Sequence, residues 1–496
     1  MHDEGGKQDI NGFLSIAQQA SEHLLSAREV TIIGHIDADG VSASSIASLA
    51  LQRAGVTHSV RFIKKLDDDE VRNINHDQAE AVWLVDLGSS FYSKLEHPLV
   101  CVADHHIPEI AEQKAPRKSG QNDLLCFQSD GRSHVNPHLY GIDGAVELSG
   151  AGVTYTIAKA MDPKNVDLAP LAVVGAVGDL QDSAQCRLKG LNRHILEDGG
   201  REGMMTVTKD LRIFGRETRP VARMLQFSTD PVLPGLTNDP GSCGRFLSDL
   251  GIEQKAGDRW RAWIDLSKVE RGVVASALCN LLLDRGYGSY AVRRLVGEVY
   301  ILEKEDAGTE LHDAKEYSTL LNSCGRYGKA EVGLRICQGD RSEALEQGIR
   351  LQQNHRGNLA DAIALVKDDL GVERRTWLQY FHGRDMILDS IVGIVAGMVL
   401  GSGEVRADLP MIAFAFSEEE KVKVSARGTR EMINAGLDLA RAVKFASEKV
   451  GGTGGGHNIA AGATIGMGKE EEFLAAMETV IAAQLTKAVN GSASTG

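Results

Sequence analysis

Between residue 29 and about residue 200, short apolar runs recur with helix-period segments between them: EVTIIGH, SVRFIKK, AVWLVDLG and LVCVADHH. Near-continuous apolar strands spaced by helices predict a mostly parallel sheet covered on both faces, in which ligand chemistry collects at the carboxyl ends of the strands. From 201 to 330 the pattern changes to helical pieces broken by Gly/Pro turns such as STDPVLPGLTNDPGSCG, which reads as a mostly helical insert or linking domain. From 331 strands and helices alternate again. There MIAFAF and KVKVSARG, joined by SEEE, alternate in the manner of a β-hairpin. The run IVGIVAGMVLG at 391–401 is too short for the ~20 residues of a spanning helix and reads as a buried core helix. The chain ends in a last helix and a flexible tail, VNGSASTG. No repeat of 20 to 50 residues is evident.

Composition adds bounds. At 496 residues, 43% hydrophobic and 25% charged, the chain has room for several domains. A net charge of −14 argues against coating nucleic acid by bulk charge, though not against a local basic groove. Residues 201 to 223 hold six Lys/Arg against three Asp/Glu. Within them Arg212, Arg216, Arg219 and Arg223 recur every three or four residues, as on one helix face, although Gly215 and Pro220 oppose an unbroken helix. The seven cysteines form no CxxC pair and suit reduced thiols. The amino terminus carries no secretory pattern, so a cytoplasmic protein without membrane attachment is expected.

The candidate chemistry lies where the first strands end. His35, Asp37 and Asp39 follow the first, Asp86 the third, and Asp104, His105 and His106 the fourth, with Asp179 in AVVGAVGDLQD as a further strand-end candidate. Buried carboxylates need a positive partner. Several carboxylates with one or two imidazoles suit Mn²⁺ or Mg²⁺, and a shared carboxylate would hold two ions ~3.5–4 Å apart, the spacing used for displacement at phosphorus. Asp182 reads as a helix-surface or supporting group. The glycine run GGTGGGHNIAAGA offers backbone N–H groups for a phosphate, aided by a following helix amino terminus.

These motifs, HIDADG, VDLGS, ADHH and VGD in this order, resemble the four metal-binding motifs of the DHH phosphoesterase superfamily, which contains RecJ nucleases, oligoribonucleases and family II inorganic pyrophosphatases. The resemblance implies metal ligands at His35, Asp37, Asp39, Asp86, His105 and Asp179, with two Mn²⁺ or Mg²⁺ ions. It places His106 near the scissile phosphate as donor or proton-transfer group, in a catalytic set with Asp37 and Asp39. HVNPHLYGIDG resembles the stretch that follows the DHH motif in RecJ-like members, where Asn136 and His138 line the site; Asn-Pro is equally an ordinary turn initiator. The run at 451–463 resembles the GGGH motif of DHHA1 domains. Ser425 and Arg427 in KVSARG match their Ser-x-Arg element, implying substrate contacts at Ser425, Arg427, Arg430, Gly454, Gly455, Gly456 and His457.

The implied architecture is α/β: a parallel-sheet DHH domain over 1–200, a mostly helical middle insert over 201–330, and a smaller DHHA1 domain over 331–496, with the active site in the interdomain cleft. DLRIFGRETRPVARMLQFSTDPVLPGLT resembles archaeal RecJ-like proteins, among them the GINS-associated nuclease, related to the DHH-family subunit of the eukaryotic replicative helicase. The expected activity is metal-assisted hydrolysis of terminal phosphodiesters in single-stranded nucleic acid, 5′ to 3′ on DNA, in replication or repair. An RNA or short-oligonucleotide exonuclease of either polarity is the first alternative. A replisome scaffold that binds GINS with minor nuclease activity is the second.

Overall fold

The computed structural model describes residues 8–108, 131–228, 230–417 and 420–492. Cys126 and residues 493–496 of the expected tail lie outside them, and the last helix extends to Ser492, into that tail. The chain separates into two units, residues 1–351 and 352–496.

The first unit is built on five parallel strands, β1 (Glu29–His35), β2 (Thr57–Ile63), β3 (Ala81–Val85), β4 (Val100–Ala103) and β5 (Arg132–Val135), in the order β2-β1-β3-β4-β5. Four of the strands coincide with the apolar runs. β5, with the sequence RSHV, was not expected: it is short and carries no apolar run. Both sheet faces are covered. Val30 and Ile32 pack under α1 (Ile10–Ser26), α2 (Ala38–Ala54), α4 (Gly150–Met161) and α5 (Ala169–Gly178), while Ile33 packs with Val71 and Ile74 of α3 (Asp68–Asn75). α2 is small-residue-rich and buried over nearly its whole length, so α4 and α5 close on it tightly.

Register decides where the chemistry falls. Gly34 pairs with Val85, Val85 with Ala103 and Ala103 with Val135, so the next residues along each strand, His35, Asp86, Asp104 and Asn136, stand side by side at one sheet edge. Asp179 differs from expectation. It follows α5, a helix, because the uniformly apolar run APLAVVGAVG carries no period that separates helix from buried strand.

After α6 (Leu191–Arg201) the chain enters the middle segment through β6 (Met205–Leu211), which pairs antiparallel with β9 (Val296–Leu302). Between them lie the short hairpin β7/β8 (Lys255–Ala256, Arg259–Trp260) and helices α7 (Val221–Gln226), α8 (Pro240–Asp249), α9 (Lys268–Asp284) and α10 (Gly288–Leu295), around their own core of Met224, Leu247, Trp263 and Leu278. The arginine helix face does not form, since β6 runs to Leu211 and Gly215 turns the chain at φ 92°. Arg212 is instead buried against Asp182 at 2.6 Å, and Arg216 against Asp210 at 2.7 Å and Asp313 at 2.8 Å. Asp182 is therefore an internal anchor of the insert. Helices α11 (Ala314–Arg326) and α12 (Ala330–Cys337) return to the first core, so residues 331–351 lie with the first unit.

Helix α13 (Glu343–Leu365) spans the boundary in sequence. The second unit is a six-stranded sheet, order β10-β11-β12-β13-β15-β14, made of β10 (Glu373–Arg374), β11 (Gln379–His382), β12 (Met411–Ser417), β13 (Lys421–Arg427), β14 (Thr453–Gly456) and β15 (Ala460–Gly466). The expected hairpin is β12/β13, paired from Met411↔Arg427 to Ser417↔Lys421. α14 (Val392–Gly401) is the expected core helix, burying Val392, Val395, Ala396 and Val399. It packs in one core with α16 (Leu439–Lys449) and α17 (Glu470–Ser492); the short α15 (Arg430–Asn434) follows β13.

Candidate functional site

The first unit gathers all six expected metal ligands. Asp37 caps α2 by accepting the Gly40 N–H at 3.0 Å, which turns the chain so that Asp39 enters the first helical turn. Asp39 is buried and accepts the first amides of α4, Gly150 at 2.7 Å and Ala151 at 3.0 Å. Asp86 leaves β3 in the left-handed region, φ 62°, a conformation a non-glycine residue adopts at a cost and one that concentrates at functional sites. Gly150 and Gly175 make room for the carboxylates: a Cβ at either would stand 2.5 Å from Asp86 Oδ1 or 2.3 Å from Asp39 Oδ1.

Two separate triplets result, with a third group, Asp86, His105 and His106, overlapping both. In one, His35 Nδ1 lies 2.9 Å from Asp37 Oδ2 and 3.7 Å from Asp86 Oδ2. In the other, His105 Nε2 lies 3.7 Å from both Asp39 Oδ2 and Asp179 Oδ2, and 3.3 Å from Asp86 Oδ1. Asp86 thus turns one oxygen to each group. Ligands at neighbouring corners of an octahedral ion with ~2.1 Å bonds stand ~3 Å apart, so these separations are of the right size. His35 Nδ1 and both Asp86 oxygens are buried without a hydrogen bond, although Asp86 is only 1% exposed. Atoms so placed converge on a common point rather than on each other. His35, Asp37 and Asp86 could hold one ion, and Asp39, His105 and Asp179 another.

The electrostatics agree. Burial opposes ionisation of Asp86, but the imidazoles of His105 and His35 outweigh it and hold its carboxyl far below the usual range. Burial and Asp86 push Asp39 well up, against the pull of His105. Asp179 is pushed up to about 6 by burial and by Asp86 and Asp37, again against His105. Burial alone would lower the two imidazoles, yet Asp37 raises His35 and Asp86 raises His105 well above their ordinary value. Four carboxyl groups crowd two imidazoles here, and imidazoles ligate as neutral rings, so a bound divalent cation supplies the positive charge that lets the carboxylates ionise together.

His105 Nδ1 lies 2.7 Å from the Gly144 carbonyl, an acceptor only, so the proton sits there and Nε2 keeps a lone pair for a metal. Asp104 is a positioning group: its Oδ1 accepts the His105 and His106 amides and His106 Nδ1 at 2.8 Å. Against the effect of burial, Asp104 raises His106 to about 9, which makes this exposed ring a cation at neutral pH. Asn136 lies behind the motif rather than on its surface. It is fully buried, donates to Ser89 Oγ at 2.7 Å and to the His106 carbonyl at 2.8 Å, and accepts the His138 N–H at 2.9 Å as a turn cap. Half-buried His138 stands beside Gly144.

One group escaped sequence reasoning. Arg326, at the end of α11, lies near Asp37, makes no ion pair among the described residues, and has its pKa lowered by burial against the pull of Asp37. The same helix grips the start of α2, where Asn322 Oδ1 accepts the Ala38 N–H at 3.0 Å. A half-buried guanidinium without a carboxylate is a ready anion contact. Its only signal in the sequence is a Gly-Arg pair ending a helix.

In the second unit, Ser425 and Arg427 lie near the end of β13 beside α14. A Cβ at Gly393 would stand 2.4 Å from Arg427 Nη2 and 2.9 Å from Ser425 Oγ, so glycine leaves the space the guanidinium occupies. Among the described residues the Arg427 guanidinium bonds only its neighbouring Ala426 carbonyl, at 2.9 Å, and makes no ion pair; burial lowers its pKa. Arg430 opens α15. Gly454, Gly455 and Gly456 do not form a loop before a helix. They are β14, an edge strand paired with β15, and His457 turns the chain between the two by donating its N–H to the Ala460 carbonyl at 2.8 Å.

Fold and site define a protein with a parallel-sheet carboxylate–histidine centre in one unit and an arginine-bearing mixed sheet in the other. The DHH-CID domain model matches residues 213–296 and the DHHA1 domain model residues 386–483. An uncharacterized protein of Methanocaldococcus jannaschii, MJ0831, is 26% identical over 470 residues, covering 92% of this chain and 94% of its own. Among solved structures, RecJ of Thermus thermophilus in complex with Mn²⁺ matches with a TM-score of 0.55 at 17% identity, over 96% of this chain. This chain spans 56% of that protein. CDC45 of Entamoeba histolytica matches with a TM-score of 0.61 at 13% identity, over 95% of this chain and 99% of its own. Among the described residues no helix is long and apolar enough to cross a membrane.

Proposed function

We propose that this chain is a divalent-metal-dependent exonuclease that hydrolyses terminal phosphodiesters of single-stranded nucleic acid, 5′ to 3′ on DNA. The observation that carries the reading is Asp86, buried, unbonded, and turned to a ligand triplet on each side. His35, Asp37 and Asp86 would hold one ion and Asp39, His105 and Asp179 the other, with Mn²⁺ favoured by the imidazoles. When bound, such ions supply Lewis-acid stabilisation of the phosphoryl oxygens and activate water at neutral pH. The protein's own groups do the rest. His106, kept cationic by Asp104, donates toward the phosphoryl or leaving oxygen, and Arg326 orients the phosphate beside Asp37. Ser425, Arg427 and Arg430, with the β14 backbone, bind phosphates of the strand.

A second reading is a docking protein for the GINS complex that uses its nuclease little. It is favoured by the exposed Val269, Val273 and Leu283, which share one face of α9 in the insert. The test is digestion of matched single-stranded DNA and RNA oligonucleotides labelled at either end, with Mn²⁺, Mg²⁺ or EDTA. Mononucleotide release from the 5′ end of DNA, abolished by EDTA, is expected. RNA-selective release shifts the substrate to RNA. No metal-dependent cleavage of either leaves the docking reading.

A further inference from the structure

The turn after α5 is built in an unusual way. Leu180 adopts φ 59° and is 65% exposed, whereas Gln181 is buried and Asp179 is half-buried with its Oδ2 3.7 Å from His105 Nε2. A leucine held in the left-handed region and out in solvent is costly on both counts, and it persists where the surroundings over-determine it. Those surroundings are the side chain of Gln181. Its Nε2 donates to the Gly144 carbonyl at 2.8 Å and to Asp179 Oδ2 at 3.2 Å, and its Oε1 accepts Asn192 Nδ2 at 2.7 Å from the first turn of α6. Gly144 O is the same carbonyl that takes the Nδ1 proton of His105. A single buried amide therefore ties together two ligands of one triplet, Asp179 directly and His105 through the carbonyl they share, with Nε2 also 3.4 Å from His105 Nδ1. It touches nothing in the His35, Asp37, Asp86 triplet.

We propose that Gln181 is a positioning residue for the ion held by Asp39, His105 and Asp179, orienting the Asp179 carboxylate and holding the carbonyl that sets the His105 tautomer. This rests on the two-ion reading above. Both Nε2 hydrogens are needed, since both partners are acceptors, so neither Met nor Glu at this position can replace them. Asn192, by filling Oε1, fixes which way the amide faces.

The experiment is a Mn²⁺ titration of the full chain, followed by the electron paramagnetic resonance of free Mn²⁺, for wild type, Gln181→Met, Gln181→Glu and Asn192→Leu. Supporting groups of this kind typically set affinity by ~10–100-fold. Wild type is expected to show two binding events. Gln181→Met weakens one of them by roughly that factor and leaves the other unchanged, with the metal-free melting temperature held within a few degrees; Asn192→Leu weakens the same event less. Should Gln181→Met not fold, Gln181→Glu, which keeps size and polarity, carries the same expectation. Unchanged affinities in these variants, or equal weakening of both events, overturn the role of Gln181 while the metal reading stands. Absence of Mn²⁺ binding to the wild type overturns the metal reading itself, and this proposal with it.

Discussion

Replacing Asp86 by asparagine tests the centre at its hinge. The side chain keeps its shape and loses its charge between two triplets, with Oδ2 3.7 Å from His35 and Oδ1 3.3 Å from His105. If each triplet holds Mn²⁺ with a Kd of ~10 µM, about 1 mM Mn²⁺ stabilises the fold by ~2.7 kcal/mol per ion, or ~5 kcal/mol for two. The first unit spans residues 1–351, and at ~2.1 cal/mol/K per residue its unfolding entropy is ~0.7 kcal/mol/K. The wild-type melting temperature should then rise by ~7 °C with metal. Removing one partner of a buried charge pair costs about 3–5 kcal/mol, so each ion's affinity falls by two orders of magnitude or more. At the same Mn²⁺ concentration the shift in the variant shrinks to ~1 °C or less. Asp37→Asn touches only one triplet and should retain about half of the wild-type shift. Differential scanning calorimetry with and without Mn²⁺ reads all three proteins, and the metal-free baseline of each removes any direct effect on the fold. A variant at Asp86 that keeps half the shift refutes the shared position of this carboxylate; one that keeps the whole shift refutes the centre.

Three further outcomes are expected. Arg427→Ala and Arg326→Ala should each weaken oligonucleotide binding and lower the slope of log affinity against log salt by ~0.7, the contribution of one phosphate contact on a single strand, as read by fluorescence anisotropy over a salt series. Arg212→Met should cost about 3–5 kcal/mol by leaving Asp182 buried and unpaired, and the double change with Asp182→Leu should cost less; urea melts distinguish them. Glu316 is raised from 4.5 to about 7 by burial and by Asp313, with Glu217 close by, while it accepts the Glu217 N–H at 2.8 Å and the Thr218 hydroxyl at 2.5 Å. A carboxyl whose folded pKa exceeds its unfolded one favours folding below pH 4.5 and loses that contribution as pH rises through about 7. Wild type should lose up to ~3 kcal/mol between about pH 5 and pH 8, and Glu316→Gln most of that dependence; parallel urea melts of the two would refute it.

Much of the first sheet was legible because strands buried on both faces must be largely apolar, as β3 and β4 are throughout and β1 is over most of its buried stretch. The site followed from the same pattern: once strands are parallel and in register, the polar residue after each must meet its neighbours at one edge. β5 escaped because RSHV looks polar, and its partner strand, not its composition, makes it a strand. Asp179 was expected at a strand end and sits at a helix end. The reason is physical: a helix buried all round, like α5, shows no amphipathic period.

What remained hidden depends on partners distant in the chain. The spacing of Arg212 and Arg216 suggests an exposed helix face, but their carboxylates, Asp182, Asp210 and Asp313, are brought to them only by the fold, and the pairs bury what a local reading leaves in water. The glycine run was expected as a loop before a helix and proved to be an edge strand. Gly454 must lie close to Ser447 and Val443 of α16, where a Cβ would stand 2.7 Å and 3.0 Å from their side chains. Close packing and phosphate approach both select glycine, so composition alone does not separate them. Arg326 and Gln181 belong to the same class. Each is an ordinary polar residue at the end of a helix, and each acquires its chemistry from Asp37, or from Asp179 and Gly144, through contacts that exist only once α11 and the turn after α5 are packed. Metal motifs are legible because several charged ligands must cluster in sequence at strand ends. The groups that orient those ligands answer to a few hydrogen bonds that only the fold brings together, and such bonds leave no pattern in a chain.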